Sequence, residues 1–152
     1  MNTNSKPAQN ELGTVPAIMR FSAVVVLVQC AAIFIYVATL IVSQFTDHTS
    51  TLESESAAAS YVNIGTAVFL LIIFGFVGYA AVSTLKGTPR ATGAVVLVEA
   101  IFAGVAVYMF RGGVPLLGVA TLASALLALV GIFHPATRDY NEARYELRKA
   151  RR

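Results

Sequence analysis

The chain has 152 residues, 57% apolar and only 12% charged, against about 25% charged in a soluble domain. Long stretches carry no charge while the charged residues crowd into short gaps, which excludes an ordinary soluble domain and makes hydrocarbon the solvent for most of the chain. The net charge of +3 does not argue for a nucleic-acid partner, because the basic residues sort by position along the apolar spans.

Residues 1–18 are polar, contain Pro7, Gly13 and Pro16, and are predicted to form a flexible tail. The run Phe21–Phe45 has 25 residues. A signal-peptide core has roughly 7–15, so this run is predicted to stay as a first transmembrane helix. Cys30, the single cysteine, excludes an intrachain disulfide and reads as a small buried apolar residue. The second span is Tyr61–Leu85, and its helix is predicted to start earlier, at a capping box with Ser50 at N-cap and Glu53 at N3. Glu53 and Glu55 would sit favourably at that positive helix end. Lys86-Gly87 stops the helix, and Thr88-Pro89 is predicted to start the next as N-cap and N1. The second and third helices are therefore expected as antiparallel neighbours. The third span is Ala91–Phe110. After the turn at Arg111-Gly112-Gly113, Pro115 opens a fourth span, Val114–Phe133, which ends at His134-Pro135. Ala136–Arg152 is predicted as a charged helix with an apolar stripe at Ala136, Tyr140, Ala143 and Leu147.

The predicted fold is thus all-α. An integral membrane four-helix bundle of two tandem transmembrane hairpins occupies 19–135, with spans at about 21–45, 61–85, 91–110 and 114–133. A short cytoplasmic amphipathic helix follows over 136–152. Ten of the eleven Lys and Arg residues fall on one side of these spans and only Arg111 on the other, whose larger loop holds Asp47, Glu53 and Glu55. By the positive-inside rule both termini are cytoplasmic and the protein is a multi-pass protein of the cell membrane.

Spans one and three read as an internal repeat at an offset of 70. Arg20 aligns with Arg90, Val25-Val26-Leu27-Val28 with Val95-Val96-Leu97-Val98, and Gln29 with Glu99. Spans two and four match more weakly at an offset of 56, through Leu70-Leu71 with Leu126-Leu127 and Gly75 with Gly131.

Glu99 is the residue most suggestive of chemistry. It stands nine positions beyond Arg90, hence about 13 Å deep and close to the bilayer midplane. An ionised carboxylate is costly there, and such groups face the bundle interior. Gln29 lies at the same depth on a helix of the same direction, and an amide can satisfy a carboxyl. Ser22, Gln29, Tyr36 and Ser43 recur every seven residues, placing Tyr36 on the same expected inward stripe. Two readings stand for Gln29, Glu99 and Tyr36: a proton-titrating or ligand-coordinating site, or a buried hydrogen bond that fixes helix register. For close helix packing the small residues are Gly75 and Gly78 in span two, and Ala120, Ser124 and Ala128 in span four.

His48 and His134 fall on opposite sides and cannot hold one haem between them. No metal or other cofactor is expected. The chain has no Gly-rich phosphate loop, serine nucleophile elbow or HExxH motif, which argues against a soluble-type enzyme. In the terminal helix Arg144, Arg148, Lys149, Arg151 and Arg152 can lie on anionic lipid, although Asp139, Glu142 and Glu146 are interleaved with them.

Four short spans, a Gln or Glu in spans one and three, and the closing His134-Pro135-Ala136-Thr137-Arg138 resemble small uncharacterised four-helix membrane proteins of actinobacteria. The resemblance implies architecture and no activity. The sequence reads as a non-enzymatic accessory or scaffold subunit whose partners are the lipid bilayer and either a larger membrane complex or copies of itself. The alternative is a small dimeric transporter or proton-coupled carrier using Glu99.

The topology has a direct test. In a Cys30→Ala background, a cysteine at Ser54 should react with an impermeant thiol reagent outside intact cells, and a cysteine at Thr88 should not. The reverse labelling overturns the arrangement.

Overall fold

A computed structural model of the chain describes residues 13–46 and 57–150. These residues form five helices and no strand: α1 (Ala17–Thr46), α2 (Ala57–Leu85), α3 (Thr92–Arg111), α4 (Pro115–Phe133) and α5 (Pro135–Ala150). The first four are long and apolar enough to cross a membrane. At ~1.5 Å per residue the 19 residues of α4 just match a hydrocarbon layer of about 30 Å, and the 30 of α1 exceed it. The Ser50–Glu53 capping box, Asp47, His48 and Glu55, and terminal Arg151 and Arg152, lie outside the described residues, as does most of the 1–18 tail.

The helix ends follow from residue chemistry. Gly87 sits at φ +68°, with its N–H donating to the Thr84 carbonyl at 3.0 Å and the Thr88 N–H donating to the Ser83 carbonyl at 2.9 Å. This is the Schellman pattern, in which a left-handed glycine satisfies the orphaned carbonyls of the last turn. The Thr88 hydroxyl also donates to the Ser83 carbonyl, so Thr88 closes α2 and does not cap α3. The expected N-cap therefore moves downstream to Ala91, which stands at φ 56° with no side-chain cap. Gly113, at φ +80°, closes α3 in a related way, as the Val114 N–H donates to the Met109 carbonyl. Pro115 then opens α4 in the first turn, where its missing N–H costs nothing. The α5 helix opens one residue before the expected start, and His134 accepts the Ala136 N–H on Nδ1 at 3.2 Å.

Helix α1 packs along both α2 and α4, and α3 along α4, whereas α2 and α3 touch sparingly despite their short connection. A stacked ring pair, Phe74 and Phe102 at 5.5 Å, is one of the few bridges between those two. The shared core draws Val26 and Cys30 from α1, Phe74 and Val77 from α2, Val95 from α3 and Ala128 from α4. Helices α1 and α4 approach closely at Gly131, where a Cβ would meet Ser22 Cβ at 2.5 Å and the Ile18 carbonyl at 3.2 Å. Gly118 lets α4 meet α3 in the same way, against the Ala106 carbonyl. A larger residue at Gly131 would push the helices apart, whereas at Gly118 the neighbours would have to give by a few tenths of an ångström.

Helix α5 folds back across one end of the bundle, against α1 and α4. The Thr137 hydroxyl donates to the Gly131 carbonyl at 2.7 Å, taking up an orphan at the end of α4. Tyr140 and Arg144 both donate to the Gly87 carbonyl, so the terminal helix is tied to the α2–α3 turn. A Cβ on Gly87 would meet the Tyr140 hydroxyl at 2.9 Å, so glycine serves both the turn and the docking. The inward face of α5 is Thr137, Tyr140 and Arg144, rotated from the expected Ala136–Tyr140–Ala143–Leu147 stripe. Polar side chains win that face because it meets helix-end carbonyls, and Ala143 is left exposed.

Candidate functional site

Three helices bring polar side chains together midway along the bundle. The Gln29 amide nitrogen of α1 donates one hydrogen to Glu99 Oε2 of α3 at 3.1 Å and the other to Ser124 Oγ of α4 at 3.0 Å. Both donors of a primary amide are thereby used. Ser124 passes its own hydrogen to the Thr121 carbonyl one turn back, at 2.9 Å. Glu99 is only 1% exposed, the most buried charged residue among those described, so its carboxyl turns into the bundle and away from lipid.

Two acceptor atoms in this cluster, Glu99 Oε1 and Gln29 Oε1, are buried without a hydrogen-bond partner among the described residues. A buried acceptor left unpaired is costly. A proton carried by Glu99 converts one of these acceptors into a donor, and the cluster is then a neutral acid beside an amide. The described residues contain no group of three or more His, Cys, Asp or Glu able to hold a metal. The arrangement can hold a proton or fix three helices in register.

Tyr36 does not join the cluster. It is 51% exposed, and the reason is geometric. A seven-residue step falls about 20° short of two full turns of an α-helix. The stripe of sevens therefore winds outward, from buried Ser22 through half-buried Gln29 to exposed Tyr36. The seam that stays buried is Met19, Ala23, Val26, Cys30 and Val37, spaced by threes, fours and seven. Ser22 and Ser43 return their hydroxyls to their own helix, at Met19 and Leu40.

The expected packing residues divide. Gly78 faces α1 with Cys30 Sγ 3.8 Å from its Cβ position, and Ala128 is fully buried. Gly75 and Ala120 point outward, and nothing approaches the Gly75 Cβ position within 4 Å. Ser124 serves the polar cluster. Gly118, Ala125 and Gly131 make the tight seam of α4 instead, at spacings of seven and six. Of the basic residues expected at the membrane surface, Arg144 is half-buried on the Gly87 carbonyl, while Arg148 and Lys149 are exposed.

A small cavity of about 30 Å³ opens at the α5 end of the bundle, lined by Ser22, Thr84, Thr92, Thr137 and Asn141. That is room for about one water, and Asn141 Oδ1 is buried there without a protein partner. The cavity reaches Val26 and Val95, one turn short of Gln29 and Glu99, and neither of the latter lines it.

No protein family, curated protein or solved structure matches the chain.

If the cluster is a register-fixing hydrogen bond, Glu99→Gln should fold as stably as the wild type. The new amide can accept from Gln29 and also donate to the unpaired Gln29 Oε1. Glu99→Leu should lose roughly 1–2 kcal/mol, because the Gln29 amide then keeps only Ser124. Reversible unfolding in mixed micelles measures both. Equal stability of Glu99→Leu and wild type would rule out the structural role.

Proposed function

We propose that this chain is a small non-enzymatic membrane protein of the cell membrane, with both termini cytoplasmic. On this reading it is an accessory or scaffold subunit that packs within the bilayer against a larger complex or against itself. One observation carries the reading: the single carboxylate within the spans is consumed inside the bundle. Glu99 is buried against Gln29, a turn away from the small cavity at the α5 end of the bundle. A substrate pathway would need that carboxyl to line a hydrated passage. The outer faces of the four spans carry large apolar side chains instead, such as Val28, Ile35, Ile72, Leu97 and Leu116. Those faces suit lipid and helix partners.

A second reading, a dimeric proton-coupled carrier using Glu99, is favoured by one feature, the unpartnered Oε1 atoms of Glu99 and Gln29. In that case a second copy would supply the rest of the pathway.

Extraction of the tagged chain from its native membrane in a mild detergent separates the two. The scaffold reading expects either a companion protein at constant stoichiometry or a defined homo-oligomer, unchanged by Glu99→Gln. A chain that leaves the membrane alone, and whose Glu99→Gln variant folds but abolishes proton-driven uptake in reconstituted vesicles, would contradict it.

A further inference from the structure

The end of the bundle that holds the α2–α3 turn also gathers cations. Arg144 is held on the Gly87 carbonyl, which fixes its guanidinium at the turn while leaving further N–H groups unused. Arg90 follows three residues later in the same turn, and its Nη1 donates to the Tyr79 hydroxyl at 3.3 Å. Arg148 lies one helical turn beyond Arg144, on the same face of α5. Lys86, exposed, precedes Gly87.

The acids of α5 do not neutralise this rim. Asp139, Glu142 and Glu146 recur at spacings of three and four, which sets them on one stripe, and all three are exposed. That stripe lies opposite Thr137, Arg144 and Arg148 on the helix. Interleaved in sequence, the two charges are segregated in space. Among the described residues no carboxylate forms an ion pair with Arg90, Arg144 or Arg148. Burial of the Arg144 guanidinium, together with the like charges of Arg148 and Arg90, holds its pKa below the usual guanidinium value. Like charges gathered without a counter-charge are the signature of a site that receives an anion from outside the chain.

We propose that Arg90, Arg144 and Arg148 form a binding site for a phosphate oxyanion at the junction of α2, α3 and α5. Guanidinium forks match phosphate oxygens in pairs. The turn from 86 to 91 lies between the ends of two span-length helices, at the level where phospholipid headgroups meet a membrane protein. An anionic phospholipid therefore supplies the phosphate in the membrane, and a free phosphate has the same chemistry.

Native mass spectrometry of the detergent-solubilised chain, titrated with phosphatidylglycerol, phosphatidylcholine or inorganic phosphate, tests the site. The wild type should retain phosphatidylglycerol in preference to phosphatidylcholine. The double variant R90Q/R148Q keeps Arg144 on its carbonyl and should weaken that retention on the order of tenfold. R138Q/K149Q removes the same charge from another side of α5 and should leave it unchanged. Displacement of phosphatidylglycerol by millimolar inorganic phosphate would mean that the site accepts a free phosphate as readily as a headgroup, and its absence that the lipid is the source. Should R90Q/R148Q fail to fold by circular dichroism, R148Q alone, on the exposed part of α5, carries the comparison. Equal retention of the two lipids by the wild type, or equal loss in both double variants, overturns the proposal.

Discussion

In a hydrocarbon solvent, leucine against leucine is no better than leucine against lipid, so apolar contact alone does not choose how four helices stand together. The bond from the Gln29 amide to Glu99 and Ser124 makes that choice here, because three helices must bring particular residues to one point to satisfy it. A slide of one turn along any of them, about 5.4 Å, would strand a carboxyl or an amide in an apolar interior. Around this point the small residues complete the fit. Gly131 admits Ser22, Gly118 admits the α3 backbone, and Ala125 and Ala128 keep α4 slender between them. The polar cluster supplies register, and the small residues supply proximity.

A second constraint acts where the helices end. Terminal carbonyls lack intrahelical partners and need others wherever water is scarce. The chain answers with residues from its last helix: Thr137 on Gly131, and Tyr140 with Arg144 on Gly87. Docking α5 in this way commits one arginine to the turn and turns the acidic stripe outward. The unneutralised rim follows from the same packing that closes α2. Structure and surface charge thus have one cause at this end of the molecule.

Much of the fold is legible in the sequence because the bilayer allows few solutions. Length and lack of charge bound the four spans to within a few residues, and Gly87, Gly113 and Pro115 punctuate them. Glu99 is conspicuous for a related reason, as a lone carboxylate in an apolar run. The remainder depends on rotation about helix axes, which a seven-residue spacing describes poorly over a straight helix. Tyr36 drifts off the stripe for that reason, while Gly75 and Ala120, expected as packing residues by their size alone, point outward. The role of Ser124 was hidden behind its size, since serine reads equally as a small packing residue or a donor. Thr88 belongs to the helix before it because a left-handed glycine draws the next N–H back to the Ser83 carbonyl. The segregation of charge on α5 is invisible in linear order and emerges only once Tyr140 and Arg144 select the inward face.

The central claim is that Gln29 and Glu99 act together to fix the bundle. A double-mutant cycle on Gln29→Leu and Glu99→Leu, followed by reversible unfolding in mixed micelles, isolates that coupling from the burial of either side chain. An interaction energy of about 1 kcal/mol is expected, with the double variant less destabilised than the sum of the two singles. Additivity to within about 0.3 kcal/mol would contradict it and leave the register of the four helices to packing alone.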